Sequence, residues 1–146
     1  MQSFGRIHLF TLIVMLAVLA CSTEQDKTAA ANDEWPEMDA FHMTMAEAFH
    51  PLKDSGNVEP ALRLIGQLTL DADTWAASPI PDKVNNDDMK SKLDKLKTDI
   101  RALSDAVNDG APEDQVGTAL YIIHDQFHEI MEIWHSDKEN SQEKEH

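Results

Sequence analysis

Between Met89 and Val107 the large apolar residues are Met89, Leu93, Leu96, Ile100, Leu103 and Val107, alternately four and three positions apart. The same series returns as Val116, Leu120, Ile123, Phe127, Ile130 and Trp134. Such spacing lays one continuous stripe along an α-helix and scatters side chains over both faces of a strand. Two helices are therefore fixed before any other property is considered. The average step lies slightly under 3.6 residues, which suits shallow crossing angles and left-handed packing against neighbours.

Two further helices precede these. The first runs from about Trp35 to Phe49 on Met38, Phe41, Met45 and Ala48, and is expected to stop near His50, because the residue before Pro51 is biased out of the helical region. The second starts after Asn57, accepts Pro60 in its first turn, and carries Val58, Leu62, Ile65, Leu68, Ala72 and Trp75 before SPIP at 78–81 ends it. The third begins near Asn86 and has Gly110 as terminator. The fourth opens on Pro112, with Glu113 and Asp114 at the positive end of its dipole. No stretch alternates with the strand period. The expected fold is all-α, an antiparallel up-down-up-down four-helix bundle over residues 34–137. Each buried large side chain contributes about 1.5–3 kcal/mol of gross driving force. The fold accordingly needs no metal to exist.

The flanks read differently. Residues 1–20 have the pattern of a signal peptide: Arg6 precedes LFTLIVMLAVLA, an apolar run too short for a membrane span. VLAC at 18–21 resembles the lipobox of bacterial lipoproteins, which implies cleavage before Cys21 and acylation of its thiol. The expected location is the cell envelope, lipid-anchored to a bacterial membrane with the domain outside the cytoplasm. Cys21 is the only cysteine, so no disulfide forms within the chain. After the lipidated cysteine, the rest of 21–33 is polar and small and reads as a flexible tether; 138–146 reads as a disordered tail. Removing Arg6 with the leader leaves 11 Lys plus Arg against 27 Asp plus Glu. Such a surface repels nucleic acid and anionic headgroups and draws cations.

One unit, an acid, any residue, an aromatic and a histidine, occurs four times: DAFH at 39–42, EAFH at 47–50, DQFH at 125–128 and EIWH at 132–135. The aromatic should point into the core and lock its turn, leaving the histidine at the shoulder. The acid can then fix the imidazole tautomer. On the fourth helix His124, His128, Met131 and His135 form one ridge, and the i, i+4 pair His124 and His128 has a spacing common among helix-borne metal ligands. Antiparallel pairing of the outer helices brings His42 level with His128 and Met131, and His50 level with His124.

The expected site is thus a transition-metal centre with His42, His50, His124 and His128 as ligands. Met45, Met131, His135 and Met38 are further candidate ligands for metal or haem, and Asp39, Glu47, Asp125 and Glu132 are the supporting acids. Imidazole suits copper and zinc alike, and thioether favours copper. The carboxylates are expected to raise the histidine pKa values, so that affinity begins to fall above pH 6.5. A di-iron site would need interior glutamates that the second and third helices do not offer. There is no glycine-rich phosphate loop and no nucleophile elbow, and HDQFH places Asp where metalloprotease HExxH motifs have Glu. No catalytic residue is assigned. The plain alternative is a structural or interaction lipoprotein whose histidines are amphipathic boundary residues.

LYIIHDQFHE at 120–129 resembles the C-x-x-C-H-D-x-aromatic haem segment of cytochrome c′. The resemblance covers about residues 34–137 and implies the four-helix fold, with His124 in the place of the proximal histidine. Leu120 and Ile123 occupy the positions of the attachment cysteines, which excludes covalent haem. The b-type relatives hold haem through a methionine of the first helix and a histidine of the last. By that resemblance Met38 or Met45 with His124 or His128 would make a haem b electron carrier. Phe49, His50 and Pro51, together with His124 to Glu129, are also similar to small lipoproteins carrying FHP and HDxFHE signatures.

Overall fold

A computed structural model describes residues 34–142, with side chains as far as Ser136. The leader, Cys21, the tether and the last four residues lie outside the described residues. Among the described residues the elements are α1 (Pro36–Ser55), α2 (Glu59–Ala77), a 3₁₀ turn (Asp82–Val84), α3 (Asp87–Asn108) and α4 (Glu113–Gln142). Each helix packs on the next and α4 closes onto α1, giving the four-helix bundle.

The stripes face inward as their spacing requires. All six stripe residues of α4 are buried, as are Met89, Leu93, Leu96, Ile100 and Leu103 of α3; Val107 is half-buried. Local chemistry sets the ends. Asn86 caps α3, its Oδ1 accepting the Met89 N–H at 2.9 Å. Gly56 and Gly110, at φ 71° and 80°, take the left-handed turns that follow α1 and α3.

Aromatic rings fill one end of the bundle. Trp35 packs against Trp75 and Trp134 with ring centroids 5.3 and 5.4 Å apart. Phe41 bridges Trp75 and Phe127, at 5.4 Å from each. Offset and edge-on contacts of this kind add roughly 0.5–1.5 kcal/mol per pair to simple burial. They also set the register of α1 against α4, since Trp35 meets Trp134, Phe41 meets Phe127, and Phe49 meets Tyr121 and His124. The register expected from the helix ends holds.

Two boundaries differ from expectation. α1 does not stop at His50 but continues through Pro51 to Ser55. Proline loses its own N–H bond and crowds the carbonyl four residues back, but its carbonyl still accepts from Ser55 Oγ at 2.9 Å and from the Asn57 N–H at 3.1 Å. The extra turn is held by Leu52, which packs on the core beside Gly117, and by the Gly56 cap. At the other end α4 runs on to Gln142, beyond the expected limit at 137. No Gly or Pro interrupts SDKENSQ, and extending an existing helix costs far less than starting one.

Candidate functional site

Between α1 and α4 lies a groove of about 400 Å³, lined by His42, Met45, Ala46, Phe49, His50, Lys53, His124, Asp125 and His128. All four histidines proposed from the sequence line it. The repeated unit explains how they get there. Its aromatic is buried at every occurrence, as Phe41, Phe49, Phe127 and Trp134. With the aromatic pinned in the core, the next residue emerges one helical step round. For three of the four units that step leads to the α1–α4 seam.

His124 and His128 form the close pair, with Nε2 atoms 3.0 Å apart. The His124 ring lies flat on Phe49, centroids 3.7 Å apart and planes 16° from parallel. Its side chain is 19% exposed. The His124 Nδ1 is 3.5 Å from Asp125 Oδ1, outside hydrogen-bond geometry, and is buried without a hydrogen-bond partner. The carboxylate favours a proton on that Nδ1, which leaves the Nε2 lone pair facing His128. Burial, then the neighbouring His128, pushes the His124 pKa below its ordinary value, against the opposing pull of Asp125; Lys53 adds to the lowering. The expected upward shift is thus reversed at His124, because desolvation outweighs the single nearby carboxylate.

The other predicted residues divide. His42 is exposed, its ring 5.0 Å from that of Phe127, and His50 is exposed on the groove rim. Met45 is buried at the groove floor. Met38 is buried in the core, Met131 is half-buried against it, and His135 is exposed; none of the three lines the groove. Among the acids only Asp125 lines it, and it approaches His124 rather than the histidine three positions on. Glu47 reaches Arg63 of α2 at 3.2 Å, because its step on α1 faces α2 rather than α4. Asp39 and Glu132 are exposed and lie outside the lining. Three lining residues, Ala46, Phe49 and Lys53, fall outside the set expected from the sequence. The pattern assigns Phe49 to the core, and Lys53 lies in the turn beyond Pro51 where the sequence predicts no helix.

The pair fits two adjacent positions around a metal ion. With metal–nitrogen bonds of about 2.0–2.1 Å, nitrogens 3.0 Å apart subtend an angle of roughly 95° at the ion. Opening that angle to a tetrahedral value moves each ring by a few tenths of an ångström. Among the described residues no three His, Cys, Asp or Glu side chains already cluster as a full ligand set. No protein family, no curated protein and no solved structure matches the chain.

Proposed function

We propose that the chain is a lipid-tethered protein of the cell envelope that binds a transition-metal ion, copper or zinc, in the α1–α4 groove and serves to buffer, sense or pass on that ion. The observation that carries this reading is the His124–His128 pair, two imidazole nitrogens 3.0 Å apart in a groove that His42 and His50 also line. His124 and His128 are the primary ligands. His42 and His50, whose exposed rings line the same groove, are the ligands that α1 would add. The acidic chain, at a formal charge of −15, draws cations to its surface as a whole. The tether and lipid rest on the VLAC segment ending at Cys21.

Haem is the poorer fit to the packing. Phe41, Trp75 and Phe127 fill the space between helices in which a porphyrin would insert, with centroids 5.4–6.1 Å apart. Met38, one of the two first-helix methionines, is buried away from the groove.

The test is a competition titration of the protein with Zn²⁺ and Cu²⁺. Replacing both histidines, His124→Ala with His128→Ala, is expected to lower affinity at least 100-fold. Equal affinity in wild type and double variant would reject the site.

A further inference from the structure

The groove's remaining donors narrow the choice of ion, on the premise that the histidine pair is the metal site. Met45 lines the groove floor although only 1% of it is exposed, one helical turn from both His42 and Phe49. Its thioether therefore belongs to the same groove as the two imidazoles whose Nε2 atoms lie 3.0 Å apart. Asp125 is the one carboxylate in the lining, and its nearest oxygen lies toward His124 Nδ1, on the opposite edge of the ring from Nε2. Beneath the exposed His42 and His50, the donors the groove offers are therefore the two paired imidazole nitrogens and one sulfur, all electrically neutral.

We infer that Met45 is the third ligand and that the ion held is monovalent copper. Three physical arguments converge. Thioether sulfur is a soft donor that stabilises Cu(I) and adds little for Zn(II). Zinc in protein sites takes four ligands, commonly with anionic thiolate or carboxylate among them, whereas a neutral set leaves the full ionic charge uncompensated. The cost of holding charge in a partly desolvated groove rises steeply with that charge, so a single positive charge is tolerated where a double one is not. Lys53 at the same groove sharpens this discrimination, because its ammonium repels a divalent ion twice as strongly as a monovalent one. Phe49, flat against His124, closes one side of the ring to water.

The experiment uses the full chain carrying Cys21→Ser, so that its one thiol does not compete for copper. Cu(I) affinity is measured anaerobically against bicinchoninate, and Zn(II) affinity against a chromophoric chelator. Met45→Leu, which keeps volume and apolarity, is expected to reduce the Cu(I)-over-Zn(II) preference at least tenfold. Met43→Leu, at a methionine 73% exposed and outside the groove lining, serves as the control and leaves the preference unchanged. Copper K-edge absorption of the unmutated site should show a sulfur scatterer beside the nitrogens, a readout that does not depend on any variant folding. If Cu(I) binds and is lost in the double histidine variant, yet Met45→Leu leaves the preference intact and the edge shows nitrogen alone, the methionine ligand is refuted and the histidine site stands. If the double histidine variant binds both ions as tightly as its parent, the site itself is refuted and this inference falls with it.

Discussion

His124 makes the closest ring contacts of the groove, and they act on its proton in opposite directions. Burial around it disfavours the imidazolium, His128 and Lys53 repel it, and Asp125 favours it. The first group prevails, so the folded pKa lies below the unfolded value of about 6.5. The sign of the linkage follows: between the folded and unfolded pKa values the unfolded chain binds more protons, so stability is full above about pH 6.5 and declines as pH falls below it. The metal-free protein should therefore melt at progressively lower temperature from pH 6.5 downward. His124→Gln, which does not titrate, should flatten that slope; parallel curves for variant and wild type would contradict the shift. Ion binding at His124 likewise persists to lower pH than an ordinary imidazole allows, since the neutral ring is the ligand. The pair itself was legible in the sequence because i, i+4 spacing on a helix settles which side chains meet. The direction of the pKa shift was not, because it depends first on how far the packed helices bury the ring.

α1 shows what determines an element's end. The bias of a pre-proline residue argued for a stop at His50, while the burial of Leu52 and the left-handed Gly56 hold one more turn. Local propensity lost to tertiary contact, and Lys53 became invisible to a reading that ended the helix early. By contrast α3 and α4 were legible almost residue by residue, since their stripes are uninterrupted. Two glycines test the same balance with opposite signs. Gly56→Ala places a side chain at φ 71° and should cost about 1–2 kcal/mol, fraying the turn that carries Lys53. Gly117→Ala lies inside α4, where its new Cβ would meet only the tip of the flexible Leu52 side chain, Cδ1 at 3.3 Å and Cδ2 at 3.7 Å. Helix propensity favours alanine there by about 1 kcal/mol. Thermal melts should show the first variant several degrees below wild type and the second several degrees above; a lower melting point for Gly117→Ala would mean that Leu52 is unable to yield.

At the scale of the whole bundle, folding and metal binding are separable. The core of Trp, Phe, Leu and Ile runs through all four helices and takes in Met45 but no histidine, since no histidine among the described residues is buried. The groove lies along the α1–α4 seam, beside the Trp35–Trp134 and Phe41–Phe127 contacts that help fix the register of those helices, and of the register contacts it shares only that of Phe49 with His124. An ion bound there adds stability to a structure already formed, in contrast to small zinc domains that unfold without metal. Chelation should consequently leave helical content by circular dichroism unchanged and the unfolding transition cooperative. Adding ion at 100 times its dissociation constant stabilises the native state by about 2.7 kcal/mol. For a domain of this size that raises the melting temperature by roughly 10 °C. His124→Ala with His128→Ala should abolish the rise while keeping the cooperative melt. Loss of helicity on chelation would instead make the ion part of the fold, and would reverse the conclusion that the hydrophobic stripes alone specify the bundle.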